Sequence, residues 1–146
     1  MEDFATLDNQ LCFAVYETAS EFNKLYTKAL HPFGLTYPQY LVLLALWEKD
    51  EVTVKVLGER LNLGTGTLTP MIKRMEEKGW VKKERSQKDE RQVIISLQPK
   101  AWAEKLAITE KVGREIQSCQ IDLEEYHQLM RQLNDLQKKL KERKQQ

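Results

Sequence analysis

The stretch VKVLGERLNLGTGTLTPMIKRMEEKGWVKKERSQKDERQVIISL, residues 54–97, decides the fold. VKVLGERL reads as a short amphipathic helix, with Thr53 placed to cap it. NLGTGTLTPMIKRMEEKGW reads as a second helix, stopped by Gly79 where a left-handed residue suits a helix end. Pro70 constrains its start. Proline is tolerated in a first turn and costs about 3 kcal/mol deeper in a helix. By that rule alone the helix would begin near Thr67 or carry a tense first turn, with Gly64 and Gly66 lowering the helical propensity upstream; within the whole stretch it is read over about Thr65 to Lys78. Val81 then opens one strand, and Val93, Ile94, Ile95 and Leu97 form another, with a polar loop of about nine residues between them.

Helix, turn, helix and charged hairpin make a winged helix-turn-helix pattern in a mainly α chain. The second helix fits a DNA major groove about 12 Å wide and offers its N-terminal side chains to base edges. Those side chains are Thr65, Thr67 and Thr69, with Lys73 and Arg74 following at phosphate reach. The loop RSQKDER, which opens on Arg85, is expected to follow the DNA backbone, with Arg91 entering the minor groove and Asp89 orienting it. Between Lys73 and Arg91 there are eight basic and five acidic residues, a local excess of +3, although the whole chain carries only +1. Most of the affinity of such a surface comes from phosphates and falls with salt.

Further helices flank this lobe. Leu11, Val15, Phe22 and Leu25 follow helical spacing over about Thr6 to Leu30, with Cys12 and Tyr16 one turn apart beside them. HPFGLT breaks that helix, and a second runs from about Tyr37 to Lys49 with Pro38 in its first turn. From about Pro99 onward the chain is helical again. Tyr126, Leu129, Leu133, Leu136 and Leu140 alternate steps of three and four, a seam that needs another helix to pack on. That helix would come from the same chain or from a second copy of it, and a two-fold dimer would set two reading heads on the half-sites of a pseudo-palindromic duplex.

At 146 residues the chain suits one domain, with 41% hydrophobic and 31% charged residues, an ordinary globular composition. No apolar run approaches the roughly 20 residues needed to cross a membrane. MEDFATLDNQ lacks a basic segment of the signal-peptide kind, so a cytoplasmic protein is expected. Cys12 and Cys119 are 107 positions apart and have no metal-ligand spacing, and His31 and His127 read as surface residues. No metal and no cofactor is expected.

The residues GERLNLGTGTLTPMIKRMEEKGWVKKERSQKDERQVIISL, with the turn Asp89-Glu90-Arg91-Gln92-Val93, resemble the DNA-binding lobe of the MarR family of bacterial repressors. NQLCF, LTYPQY and GTLTPM together are similar to the branch of organic hydroperoxide resistance regulators, OhrR. The resemblance implies a dimeric repressor, not an enzyme, forming a single domain over 1–146. In it, about 1–35 and 100–146 are dimerisation helices and about 36–98 the winged lobe. It places the sensing cysteine on Cys12 and the partner subunit's two tyrosines on positions 26 and 37, here Tyr26 and Tyr37. A further tyrosine near the sulfur falls on Tyr16, and a possible resolving thiol on Cys119. The chain departs from the family pattern at Gly64-Thr65-Gly66, where Asp-Ser-Gly is frequent, and at Gln98-Pro99-Lys100-Ala101, where TxxG is frequent.

The chemistry of a cysteine agrees with that implication. A thiolate attacks a peroxide O–O bond, and tyrosine hydroxyls or a helix start a few residues upstream favour the anion. Apolar neighbours Leu11, Phe13 and Val15 suit an organic hydroperoxide. The competing reading is a MarR-type repressor released by a small phenolic or aromatic ligand, with Cys12 as a piece of structure. A thiol peroxidase is disfavoured because no βαβ pattern of the thioredoxin kind is present.

Overall fold

Two of the three helices of the winged lobe begin at a side-chain oxygen that satisfies an orphan backbone N–H. In the computed structural model, which describes residues 2–143 and their side chains from residue 4 on, Thr36 accepts from the backbone N–H of Gln39. The Gln39 side chain in turn accepts from the Thr36 N–H. This capping box starts α2, Tyr37–Glu48. Thr53 accepts from the Val56 N–H and starts α3, Val54–Leu61. Before them lies α1, Leu11–Leu30, preceded by two 3-10 turns at Glu2–Ala5 and Leu7–Asn9 and followed by a third at His31–Phe33. The first helix is thus shorter than its apolar spacing suggests. Gln10 is extended and ends the 3-10 turn rather than continuing a helix from Thr6.

The turn between α3 and α4, Thr65–Glu77, depends on two residues. Asn62 adopts the left-handed conformation at φ 56°, which asparagine tolerates better than most residues. Gly58 is buried, its carbonyl accepts from the Leu63 N–H at 2.9 Å, and a Cβ there would lie 2.8 Å from the Leu63 carbonyl oxygen. Gly58→Ala gains about 1 kcal/mol of helix propensity but forces two backbone segments apart, a strain of about 1–3 kcal/mol. The expected result is a melting temperature lowered by several degrees in a thermal scan followed by circular dichroism. An unchanged or raised value would show that the turn gives way freely.

The helix α4 begins at Thr65, as the pattern of the whole stretch predicts, and not late at Thr67 as the proline rule alone would have it. Gly64 is its N-cap, and the Thr67 and Leu68 N–H groups both donate to the Gly64 carbonyl, so the first turn closes before Pro70 is reached. Pro70 lies inside the helix. Leu68, Met71, Ile72 and Met75 are buried along one face, and at about 1.5–3 kcal/mol per side chain they outweigh the cost of the proline. Gly79, at φ +83°, ends the helix: its N–H donates to the Glu76 carbonyl and the Trp80 N–H to that of Met75. Met75 and Trp80 are both fully buried, which completes a Schellman motif.

Three strands, not two, form the sheet. β1 (Val52–Thr53), β2 (Val81–Arg85) and β3 (Val93–Leu97) lie in the order β1-β3-β2, all antiparallel, with Val52 opposite Ile95 and Val81 opposite Leu97. Asp50 fixes the short strand: one carboxylate oxygen accepts from the N–H groups of Glu51 and Leu97. The loop between β2 and β3 is Ser86–Gln92, seven residues rather than about nine. α5, Pro99–Gln117, and α6, Leu123–Glu142, complete the chain.

The chain divides into two compact units, 1–112 and 113–146. The first holds the core, with Trp80, Leu43, Leu46, Leu57, Leu68, Ile95 and Ile108 fully buried. In the second, α6 has no buried residue, and Leu123, Tyr126, Leu129, Met130, Leu133 and Leu140 are exposed. No helix among the described residues is long and apolar enough to cross a membrane.

Candidate nucleic-acid interface and thiol site

The helix α4 and the β2–β3 hairpin stand on either side of a groove of about 520 Å³. Thr65 and Thr69, one helical turn apart, line one wall, and Lys83, Arg85 and Arg91 line the other, with Lys55 of α3 also present. Thr67 is exposed but does not line the groove, and Lys73 and Arg74 are exposed farther along α4. Lys55 and Lys83 were not singled out in the sequence. The alternation of a strand puts Lys83 on the side of Arg85, whereas nothing in VKVLGERL marks Lys55. One acid, Glu84, also borders the groove. It pairs with Lys82 at 2.5 Å. The Lys82 ammonium donates to that carboxylate, and this hydrogen bond and then the carboxylate's charge raise the ammonium above its usual range.

The hairpin loop is braced from within. The Ser86 N–H donates to the Gln92 carbonyl, and the Ser86 hydroxyl accepts from the N–H groups of Lys88 and Asp89. One Asp89 carboxylate oxygen accepts from both the backbone N–H and Nε of Arg91, at 3.1 and 3.2 Å. Asp89 thereby aims Arg91, whose side chain is 91% exposed. Arg85 donates to the Glu90 carbonyl at 2.9 Å, so it holds the loop as well as bordering the groove. A concave surface with four cations from three elements matches a phosphate backbone lying between a helix in one groove and an arginine in the next.

The thiol site lies at the other end of the first unit's sequence. Cys12 is the second residue of α1, in the first turn itself rather than a few residues inside the helix. That brings it closer to the positive end of the helix dipole than the sequence suggests. Its sulfur is exposed and has one hydrogen-bond partner among the described residues, Oε1 of Gln10 at 3.8 Å. The Gln10 amide nitrogen donates to the Phe4 carbonyl. Tyr16 is exposed one turn beyond Cys12. Tyr26, near the end of α1, and Tyr37, at the start of α2, are brought together: their rings stack at 4.6 Å and 8°. Tyr40 stacks on Tyr26 in turn. Cys119 lies in the turn after α5, exposed, with its thiol donating to the Glu115 carbonyl at 3.6 Å.

The model of the family described as transcriptional regulator SarA/Rot matches residues 24–108. An organic hydroperoxide resistance transcriptional regulator of Bacillus subtilis is 53% identical over 95 residues, 65% of each chain. The regulator TtmR of Methylorubrum extorquens is 52% identical over 99 residues, 68% of this chain and 51% of its own. The aligned part thus spans less than two thirds of either relative's length. Among solved structures, reduced AbfR bound to DNA has a TM-score of 0.82 at 43% identity, covering 92% of both chains. The disulfide form of AbfR, a Staphylococcus epidermidis protein, has a TM-score of 0.67 at 44% identity, covering 89% of this chain and 91% of that one. The relatives from Bacillus subtilis and Methylorubrum extorquens are transcriptional regulators. With a family model matched over more than half its length and the winged helix-turn-helix in place, the chain belongs to the SarA/Rot family of MarR-like transcriptional regulators.

Proposed function

We propose that this regulator is a cytoplasmic, homodimeric repressor that binds a pseudo-palindromic DNA operator and leaves it when an organic hydroperoxide oxidises Cys12. The groove between α4 and the hairpin carries the DNA-binding part of this reading, because it joins Thr65 and Thr69 to Lys83, Arg85 and Arg91 on one concave surface. Thr67, Lys73 and Arg74 extend the contact along α4, and Asp89 orients Arg91. The exposed apolar seam of α6 supports a second copy as its partner. The sensing part is supported by an exposed thiol in the first turn of a 20-residue helix and by similarity to a hydroperoxide resistance regulator.

The chemistry runs in two balanced steps. The Cys12 thiolate attacks one peroxide oxygen; an S–O bond forms, the O–O bond breaks, and the alcohol leaves after taking a proton. Sulfur is oxidised by two electrons to the sulfenic acid and the peroxide is reduced. Cys119 then condenses with the sulfenic acid, forming a disulfide and releasing water. Tyr16 of the same chain, and Tyr26 and Tyr37 of the partner subunit, serve as hydroxyl donors toward the sulfur in this reading. The test is fluorescence anisotropy on a duplex selected from a random pool. One equivalent of cumene hydroperoxide per subunit is expected to release the protein, and dithiothreitol to restore binding. Undiminished binding after peroxide would overturn the sensing reading, and failure to enrich any duplex would overturn the operator reading.

A further inference from the structure

Glu76 breaks a local rule. It stands in the last turn of α4, where the helix dipole disfavours a carboxylate. Its side chain is nonetheless held. Oε2 accepts from the backbone N–H of Lys83, in the middle of β2, at 2.9 Å. With the sheet order β1-β3-β2, β2 is an edge strand. The outward N–H groups of such a strand have no neighbouring strand to donate to. The Glu76 carboxylate takes one of them, and so ties the end of α4 to the hairpin. The tied residue bears on the groove. Lys83 lines it across from Thr65 and Thr69, and on β3 it stands opposite Ile95, which is fully buried. Lys83 is thus fixed from two sides, by the ladder with β3 and by Glu76.

We propose that Glu76 is a positioning residue for DNA binding, which holds the hairpin at a fixed distance from α4 and so sets the groove at Lys83. The inference rests on the reading of that groove as a DNA surface. Glu76 does not line the groove itself, so it acts through Lys83 and not on a phosphate. Its own charge works the other way. An acid on a DNA-binding lobe repels phosphates, and its loss alone tightens binding. Position and charge therefore predict opposite signs for the same substitution.

Glu76→Gln keeps an acceptor oxygen and removes the charge. Glu76→Ala removes both; it also adds helix propensity and takes an acid from the last turn, so α4 stays formed. Glu76→Met, run beside it, keeps the stem without either oxygen. The first measurement is anisotropy of the full-length protein on the selected duplex at several salt concentrations. Glu76→Ala and Glu76→Met are expected to weaken binding about fivefold, the factor of one ordinary hydrogen bond. The salt slope is expected to stay unchanged, because no cation is lost. Glu76→Gln is expected to match the wild type or to bind up to about twofold tighter, as one negative charge has gone. The second measurement is amide hydrogen exchange by NMR on isotope-labelled protein without DNA. The Lys83 N–H is expected to exchange about fivefold faster in Glu76→Ala and Glu76→Met, and at the wild-type rate in Glu76→Gln.

Unchanged or tighter binding in Glu76→Ala and Glu76→Met would reduce Glu76 to its charge and overturn the proposal. So would equal weakening in Glu76→Gln, or a Lys83 N–H that exchanges alike in Glu76→Ala and the wild type. Lys83→Ala separates this proposal from the groove reading. It is expected to weaken binding and to lower the salt slope by about one for each lysine removed. If it binds with wild-type affinity and slope, the groove reading fails and the proposal with it. If Lys83→Ala weakens binding while the Glu76 variants do not, the proposal fails alone.

Discussion

Cys12→Ser is expected to bind operator DNA within about twofold of the wild type and to stay bound in organic hydroperoxide. The substitution exchanges one atom on an exposed side chain, and such surface changes cost less than about 0.5 kcal/mol. The oxygen of serine does not attack a peroxide O–O bond at neutral pH, because it lacks the thiolate's nucleophilicity. The whole response is therefore expected to vanish with affinity and fold intact. Mobility shift with cumene hydroperoxide, run beside the wild type, reads both quantities. Release of both proteins to the same extent would make Cys12 a structural residue and favour a small aromatic or phenolic inducer. Cys119→Ser separates the two oxidation steps: release is expected to begin, and its reversal by dithiothreitol to change, because no disulfide with Cys12 can form.

Arg91→Ala is expected to weaken operator binding by about 1–3 kcal/mol per half-site, at least tenfold in Kd for a dimer that loses two arginines. The slope of log K against log salt is expected to fall by about one for each arginine removed. Asp89→Ala provides the contrast. It keeps the charge of Arg91 but removes the oxygen that fixes both its backbone N–H and Nε. Affinity is then expected to fall by a smaller factor with the salt slope unchanged, since the number of cations is the same. Anisotropy titrations at several salt concentrations measure both. An Arg91→Ala protein with wild-type affinity and slope would place the hairpin away from the DNA.

The parts of this fold legible in the sequence are those set by local chemistry. Thr53 and Gly79 mark helix ends because a hydroxyl at an N-cap and a glycine at a left-handed position act within one turn. The Arg91–Asp89 arrangement was legible for the same reason, as its partners are two residues apart. What was not legible depends on distant partners. Val52–Thr53 is a strand only because Ile94 and Ile95 lie beside it, and two residues carry no periodicity. That α4 tolerates Pro70 beyond its first turn depends on the burial of Leu68, Met71, Ile72 and Met75, which overrides a local penalty. α1 starts at Leu11 rather than near Thr6 because Gln10 is extended, a change of backbone that the apolar spacing from Leu11 onward does not encode. Lys55 enters the groove through the angle between α3 and the hairpin, which no spacing along the chain encodes.

The central claim is that oxidation at Cys12 is the event that frees the DNA. The measurement is a single rapid-mixing reaction of the wild-type complex with one equivalent of cumene hydroperoxide per subunit. DNA release is followed by anisotropy, and aliquots are quenched with a dimedone-type trap and mapped by mass spectrometry. The account predicts that sulfenic acid or its disulfide at Cys12 accumulates no later than the DNA leaves, in proportion to the fraction released. DNA that leaves while the Cys12 peptide is still an unmodified thiol would contradict it.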